Sequence, residues 1–556
     1  MARPSLRAFL PGADDYALLP SSWRVDILAG VTVGIVALPL ALAFGVTSGV
    51  GAAAGLVTAV IAGLVAAVMG GSPVQVSGPT GAMVVILAPI VAAHGVGSIA
   101  LLSIMAGVIV LGMGLAGVGR AVAYIPWPVV EGFTLGIGTI IFLQQVPLAT
   151  GTHAPSGLNT VVAAWISAAG AQWPTAGITL AIVTVVATLM ITAPRLHAGL
   201  PASLIAIVLV TVVAEWLHLD IPRIGELPSA LGAPALPPIS LPLMAELAGP
   251  AVAVAALAAI ESLLSARVAA GLVGPHGSTT GQYHPDRELA GQGLASIAAG
   301  LFGGMPATGA IARTAVNVRS GARTRLASVV HALLLLVIVY AGSQLVGRIP
   351  LAALAGILLV TATRMVSRHT AASILRSGRS EATLFVVTAI ITVAFDLIEA
   401  IQIGVLVAAF FALRSVAKAS GAAREELPGD AHPDDERIAL FRLDGAMFFG
   451  AAEKILTDVQ AVTGVEVVIL RLSRLRMLDA TGARALVEII GALERRKITV
   501  LVKGIRPEHA KMAETVGVIE ALRHYRHVFE ELEPAVAHAR HHVEENRAAD
   551  ALKQLP

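Results

Sequence analysis

VSGPTGAM, Val76–Met83, lies between two long apolar stretches and places a Pro, a Thr and two Gly where a continuous membrane helix would favour none. Far down the chain MPATGAIA, Met305–Ala312, repeats the cluster Thr-Gly-Ala-apolar. Irregular backbone at membrane depth is tolerated only where it is buried in protein or lines a cavity. Two such breaks in one chain therefore ask for a shared cause.

The surroundings are those of a membrane protein. Of 556 residues, 56% are hydrophobic and 13% charged, with mean hydropathy +0.81. Soluble chains carry about a quarter charged residues. A span needs roughly 20 apolar residues. Apolar segments run from Ile27 to Thr47, Ala52 to Met69, Ala82 to Ala93, Ile99 to Val118, Val129 to Leu143, Ala176 to Ile191 and Leu204 to Trp216. After a Pro-rich connection, Leu227 to Leu243, a second series covers Val252 to Leu272, Leu289 to Phe302, Gly309 to Val318, Leu326 to Val346, Leu351 to Thr361, Ala382 to Phe395 and Ile401 to Ala417.

The expected architecture is thus an α-helical polytopic membrane domain over residues 1–418, with fourteen spans in two repeats of seven, about 26–216 and 249–418. An odd number of spans per repeat inverts the second copy. Both breaks fall in the third span of their repeat. Inverted repeats with interrupted segments at matching places are a sequence pointer to a transporter site. Two half-helices starting near the midplane aim free N–H groups and positive dipole ends at one spot, which favours an anion. Gly81 and Gly309 permit close approach of the backbone, and Thr80 and Thr308 can cap or donate hydrogen bonds. Ala82, Met83, Ala310, Ile311 and Phe44 supply apolar surroundings.

Charge placement agrees. With Arg3, Arg7 and Arg24 inside, the inside loops hold Arg120, Arg195, Arg319, Arg323, Arg325, Arg364, Arg368, Arg376 and Arg379, whereas Val146 to Pro174 holds no Lys or Arg. This is the positive-inside pattern; it places both termini in the cytoplasm and suits the inner membrane of a bacterium. Trp23, Trp127, Trp165, Trp173 and Trp216 stand near span ends as interface anchors. Within AIESLLSARVAAG the carboxylate Glu261 sits inside a span, which is costly and usually functional, and Ser265 lies one turn on. Arg313 adds positive charge to the site, or is a topology charge like Arg319. Glu131 reads as interfacial, and Arg267 as snorkelling or inside-facing.

From Lys418 the chain turns polar, a linker over 419–436. Strands are expected over Arg437–Gly445, Val465–Ser473 and Ile498–Ile505. Helices are expected in AAEKILTDVQAV, TGARALVEIIGALERR and PEHAKMAETVG. A small cytoplasmic α/β domain over 437–540 follows, with a polar tail from His541 that should fray. No Cys is present, which removes disulfides and thiolate chemistry. Nothing asks for nucleic acid, a cofactor or a metal. No metal-ligand cluster, nucleophile–base pair or phosphate loop supports an enzyme. Met1 to Ser22 lacks a secretory apolar region.

These stretches resemble the SulP (sulfate permease) family of anion transporters. LPLALAFG, GPTGAM, PVVEGFTLG, ESLLSARVAAG and RELAGQGLASIAAGLFGGMPATGAIARTAVNVRSGARTR carry the likeness, and LRLSRLRMLDATGARAL is similar to a STAS domain. The resemblance implies seven-plus-seven inverted repeats shared with the uracil-permease fold, core and gate domains moving in an elevator-like cycle, and a homodimer. It implies that substrate lies between the starts of the third and tenth spans, at Thr80, Gly81, Gly309, Ala310 and Ile311. It puts Glu261 and Ser265 at the coupling-ion position.

Sodium-dependent bicarbonate members carry Asp, Thr and Thr where this chain has Glu261, Ser265 and Ile311. Ile311 offers Na⁺ no side-chain oxygen. Proton coupling fits better, because withdrawal from water favours a neutral carboxyl. Leu40 stands where many sulfate-type members have Gln, and Ala270 where an Asp is common. Thr481, in LDATGA, matches a phosphorylatable position of soluble STAS relatives; Asp479 or Thr481 can equally cap the helix. The expected function is secondary active transport of a sulfate, bicarbonate or C4-dicarboxylate class anion with a proton. The alternatives are Na⁺-coupled bicarbonate uptake, or an anion channel or sensor acting through the STAS domain.

Overall fold

A computed structural model describes residues 6–120, 126–152, 158–173, 175–196, 201–227, 230–272, 283–365, 368–394, 403, 406, 407, 410, 413, 420–447 and 463–553. The chain divides into two compact units, residues 1–405 and 406–556.

The first unit is helical. Its helices are α1 (Leu19–Thr47), α2 (Ala52–Met69), α3 (Gly81–His94), α4 (Ser98–Leu115), α5 (Trp127–Gln144), α6 (Val146–Thr150), α7 (Thr160–Ala169) and α8 (Thr175–Leu196). There follow α9 (Ala202–Trp216), α10 (Leu241–Gly271), α11 (Pro285–Leu301), α12 (Ile311–Arg319), α13 (Leu326–Gly347), α14 (Leu351–Met365), α15 (Arg368–Ser377) and α16 (Arg379–Ala394). Among the described residues eight helical segments are long and apolar enough to cross a membrane. The last expected span, 401–417, lies largely outside the described residues.

Packing between the two series is reciprocal. α1 packs on α12 and α13, while α10 packs on α3 and α4; α2 meets α13 as α11 meets α4; α5 meets α16 as α14 meets α8. Small residues allow the closest of these approaches. A Cβ on Gly107 of α4 would stand 2.7 Å from the Gly293 carbonyl of α11, and one on Gly293 would stand 2.6 Å from the Gly107 carbonyl.

The breaks become structure. Ser77–Gly78 (β1) and Thr308–Gly309 (β2) pair antiparallel, Ser77 opposite Gly309 and Gly78 opposite Thr308. The Ala310 N–H donates to the Val76 carbonyl at 2.9 Å. α3 and α12 begin directly after this ribbon. Their 14 and 9 residues reach only about 21 and 14 Å at 1.5 Å per residue, short of a core of about 30 Å.

Several expectations need correction. The stretch Val146 to Pro174 is not plain loop: it forms α6 and α7, and α7 exposes Val161, Val162, Trp165 and Ile166. α15 likewise occupies the arginine-rich loop around Arg368. Arg325 is no surface topology charge. It is buried, donates to the Ala67 carbonyl at 3.0 Å and pairs with Asp15 at 3.0 Å. Arg287 joins the same carboxylate at 2.8 Å. The five Trp are 46–77% exposed, and Trp127 Nε1 donates to Glu131 at 3.1 Å.

The second unit is an α/β sheet. Its strands are β3 (Gly421–Glu425), β4 (Ile438–Met447), β5 (Val467–Arg471), β6 (Leu475–Leu478), β7 (Thr499–Lys503) and β8 (Val528–Phe529). The order is β3-β4-β5-β7-β8, with β6 on β4; β3 is antiparallel and the other pairings are parallel. Side chains alternate between two cores. Phe441, Leu443, Val468, Leu470, Val500 and Val502 face one, and Ile438, Leu440, Val467, Ile469 and Leu501 the other.

Helices α17 (Ala480–Arg495) and α18 (Pro507–Val516) cover the first face, and α19 (Leu532–Lys553) the second. The expected helix over Ala451–Val462 lies outside the described residues. Two boundaries move. The linker 419–436 contains β3, whose main chain completes the sheet. The tail from His541 does not fray at that point: α19 runs to Lys553, held by Ala535, Val536, Ala539 and Val543 in the second core.

Candidate functional site

The ribbon gathers most of the residues singled out by sequence. α10 runs past it and presents Glu261. The Thr80 hydroxyl donates to Glu261 Oε2 at 2.8 Å, and the Thr308 hydroxyl to the same oxygen at 2.7 Å. The next residue, Ser262, accepts the Gly309 N–H at 3.0 Å. One carboxylate and one hydroxyl of α10 thus hold both breaks.

Neither Thr side chain caps a helix. The N-caps are Thr80 and Ala310, and neither side chain takes a first-turn N–H. Both helices therefore start with uncapped N–H groups, and an uncapped N-terminus is a ready anion site. At Gly81 an added Cβ would stand 2.4 Å from Ile141 Cδ1 and 3.3 Å from Phe44 Cε1. Gly81 is therefore the small residue that lets α5 and α1 close on the start of α3.

Ala82, Met83 and Ala310 are buried, whereas Ile311 is 40% exposed. Ser265 is buried, with its hydroxyl 3.1 Å from that of Thr314, which in turn accepts the Val76 N–H at 3.1 Å. It braces the ribbon rather than meeting Glu261.

Arg313 is buried rather than cytoplasm-facing. Its Nη2 donates to the Pro79 carbonyl, one residue before Thr80. Its Nη1 lies against Gly78 and has no partner among the described residues. Positive charge is thus brought to the back of the ribbon.

Sequence reading missed three contributors. Ser262 sits beside the singled-out Glu261 and carries no signal of its own. Gln75 is buried with both amide atoms unpartnered among the described residues, pressed against Gly309. Glu288 of α11 is a buried carboxylate. It accepts the N–H groups of Gly71 and Ser72 at 2.8 and 2.9 Å, while Gln292 donates to it at 3.0 Å and lies 2.5 Å from the Ser77 hydroxyl. The spacing Glu288–Gln292 puts both on one helix face, which is the signal that was available.

In the second unit Asp479 is the N-cap of α17 and accepts the Gly482 N–H at 2.7 Å. Thr481 is exposed in the first turn. The capping role therefore falls to Asp479.

Paired half-helices inside a bundle of apolar helices, with an intramembrane carboxylate across the pairing, define an integral membrane protein of transporter type. The chain belongs to the sulfate permease family, whose model matches residues 23–388, and residues 432–535 match the STAS domain. It is 31% identical over 513 residues to the putative sulfate transporter YvdB of Bacillus subtilis (strain 168), covering 90% of this chain and 95% of that protein. It is 32% identical over 517 residues to the bicarbonate transporter BicA of Synechocystis sp., covering 89% and 90%. In fold it is similar to the murine solute carrier 26 family member A9 anion transporter, with TM-score 0.84 at 18% identity over 97% of this chain and 96% of that one.

Proposed function

We propose that this chain carries a small anion across a membrane by proton-coupled symport, binding the anion at the starts of α3 and α12 and the proton at Glu261. The observation that carries the reading is the convergence of two uncapped helix N-termini on a single ribbon. The dipole ends, the Arg313 charge and the unpartnered Gln75 amide all favour an anion there. Thr80, Gly81, Ala82, Thr308, Gly309, Ala310, Ile311, Phe44 and Arg313 form the proposed site, with Glu261 as the coupling carboxylate and Ser265, one turn on, supporting it through Thr314 and the ribbon. Glu261 touches the ribbon itself, so its protonation changes hydrogen bonds to both breaks at once.

Sulfate, bicarbonate and C4-dicarboxylates fit this chemistry, and relatives named for sulfate and for bicarbonate stand at similar identity. A Na⁺ site of the bicarbonate type is disfavoured by Ile311, which lacks a ligand oxygen. The fourteen-span inverted repeat, the elevator-like movement, the dimer, the bacterial inner membrane and the cytoplasmic termini complete the proposal. Thr481 offers an exposed hydroxyl at a helix N-terminus, where phosphate is electrostatically favoured. The chain has no Cys, so single introduced cysteines would report the side of each loop.

The test is uptake of labelled sulfate, bicarbonate and fumarate into proteoliposomes under an inward proton gradient, an inward Na⁺ gradient, or neither. Accumulation above equilibrium of one anion under the proton gradient alone is expected. Accumulation only with Na⁺ would overturn proton coupling. Equilibration under every condition, with matching currents, would favour a channel.

A further inference from the structure

The second unit carries a cluster of imidazoles that anion transport does not use. His527 ends the short turn Tyr525–His527 before β8, and His538 and His542 lie four residues apart on α19, hence on one helix face. The ring centroids of His527 are 5.6 Å from those of His538 and His542, which are 4.9 Å from each other. One ring nitrogen from each of the three lies within 4.8 Å of the other two.

Two of these side chains are short of partners. His527 is buried, and its Nδ1 has no hydrogen bond among the described residues; neither has His538 Nε2. Buried polar atoms are ordinarily satisfied. A neutral imidazole carries one lone pair that can bind a Lewis acid, and the unpartnered Nδ1 of His527 and Nε2 of His538 stand in the cluster where that lone pair could be used. Sequence reading found no metal-ligand cluster because His527 is eleven residues from His538 in the chain; the packing of α19 beside β8 closes that gap.

We propose that His527, His538 and His542 bind one borderline divalent transition-metal ion of the Zn²⁺, Co²⁺, Ni²⁺ or Cu²⁺ class. Three imidazoles are a donor set suited to these ions. A tetrahedral ion with bonds of about 2.0–2.1 Å holds its nitrogens about 3.4 Å apart, so rotations of the two half-buried helix imidazoles complete the site. The fourth position is left to water or an exogenous ligand. The bound ion clips the turn before β8 to the C-terminal helix.

The experiment uses the untagged full-length protein in detergent, stripped with chelator and titrated with Co²⁺, then Zn²⁺. The expected result is one Co²⁺ per chain with the intense visible band of four-coordinate cobalt, bleached by one equivalent of Zn²⁺. His538→Ala and His542→Gln should each weaken Zn²⁺ binding about tenfold or more, a loss of at least about 1.4 kcal/mol. His541→Ala, whose imidazole lies 3.1 Å from Glu545 on the exposed side, should leave binding unchanged. Melting of the metal-free variants at the native temperature keeps the comparison valid, and His542→Gln, at a half-buried position, provides a variant whose helix is preserved. Absence of stoichiometric binding by the native chain, or equal binding by the variant lacking all three imidazoles, would overturn the proposal.

Discussion

The hydroxyl oxygens of Thr80 and Thr308 stand 3.2 Å apart, although 228 residues separate them, and both are hydrogen-bonded to Glu261 Oε2. Two distant breaks and one carboxylate therefore form a single polar knot inside an apolar bundle. Its consequences can be measured.

The two threonines should act as a unit. A hydrogen bond contributes roughly 0.5–1.5 kcal/mol when Glu261 holds its proton and roughly 1.5–3 kcal/mol when it is charged, so Thr80→Val or Thr308→Val alone should destabilise the protein by about 0.5–3 kcal/mol. Because they share one acceptor, the double variant should depart from additivity by at least about 0.5 kcal/mol. Unfolding titrations of the four proteins in mixed micelles supply the cycle. Strict additivity would mean that the two hydroxyls do not share the carboxylate.

Glu261→Gln preserves shape and an acceptor but cannot carry a proton in exchange. Proton-driven accumulation of the anion in proteoliposomes should be lost, while counterflow exchange of the same anion persists. An undiminished response to the proton gradient would remove Glu261 from the coupling role. Glu288, the buried carboxylate of α11 joined to Ser77 through Gln292, would then be the next residue to test.

Arg313→Ala should weaken anion binding about tenfold, some 1.4 kcal/mol, read as a dissociation constant by calorimetry. Arg313→Lys should not restore it, because an ammonium cannot reproduce the planar fork that reaches Pro79 while lying along Gly78. A dissociation constant unchanged in both variants would reduce Arg313 to a brace for the ribbon.

Asp15, in the segment before α1, supplies a pH dependence. Burial raises its carboxyl, but the hydrogen bonds from Arg287, the Gly12 N–H and Arg325 outweigh that and hold it at about 2, below the ordinary 3.8. A depressed carboxyl contributes stability above the unfolded value and loses it as pH falls through the folded one. The melting temperature in detergent should therefore drop between about pH 4 and pH 2, and Asp15→Asn should flatten that drop. An Asp15→Asn profile identical to the native one would assign the acid sensitivity elsewhere.

Hydropathy made the helical unit legible, because apolar runs of span length have few other uses. The matching of GPTGAM with PATGAI pointed to two breaks, because the same small-residue cluster recurs in the third span of each series; Gly and Thr alone are no such signal, since α2 carries both and is continuous. The charge rule misread Arg325, and it left Arg313 open between a site charge and a topology charge. It counts arginines by sequence position, and whether a guanidinium reaches water or a buried partner depends on which helices pack around it. β3 was invisible because its polar GAARE lacks the alternation of a half-buried strand and is held by main-chain pairing to β4. The half of α19 from His541 was read as tail because it is almost wholly polar, yet Val543 continues the apolar face that Ala535, Val536 and Ala539 lay on the sheet.

What the sequence by itself determined is local: which segments are oily enough to leave water, where small residues interrupt them, and which carboxylate lies inside a span. These follow from composition and from backbone hydrogen bonding, which act within a few residues. Only the tertiary structure decided that Thr80 meets Thr308, that Ser262 rather than a Thr takes the Gly309 N–H, that Arg325 closes on Asp15, and that three histidines of the second unit converge. Such contacts join residues far apart in the chain. They are set by the packing of whole helices and sheets, a property no single stretch of sequence carries.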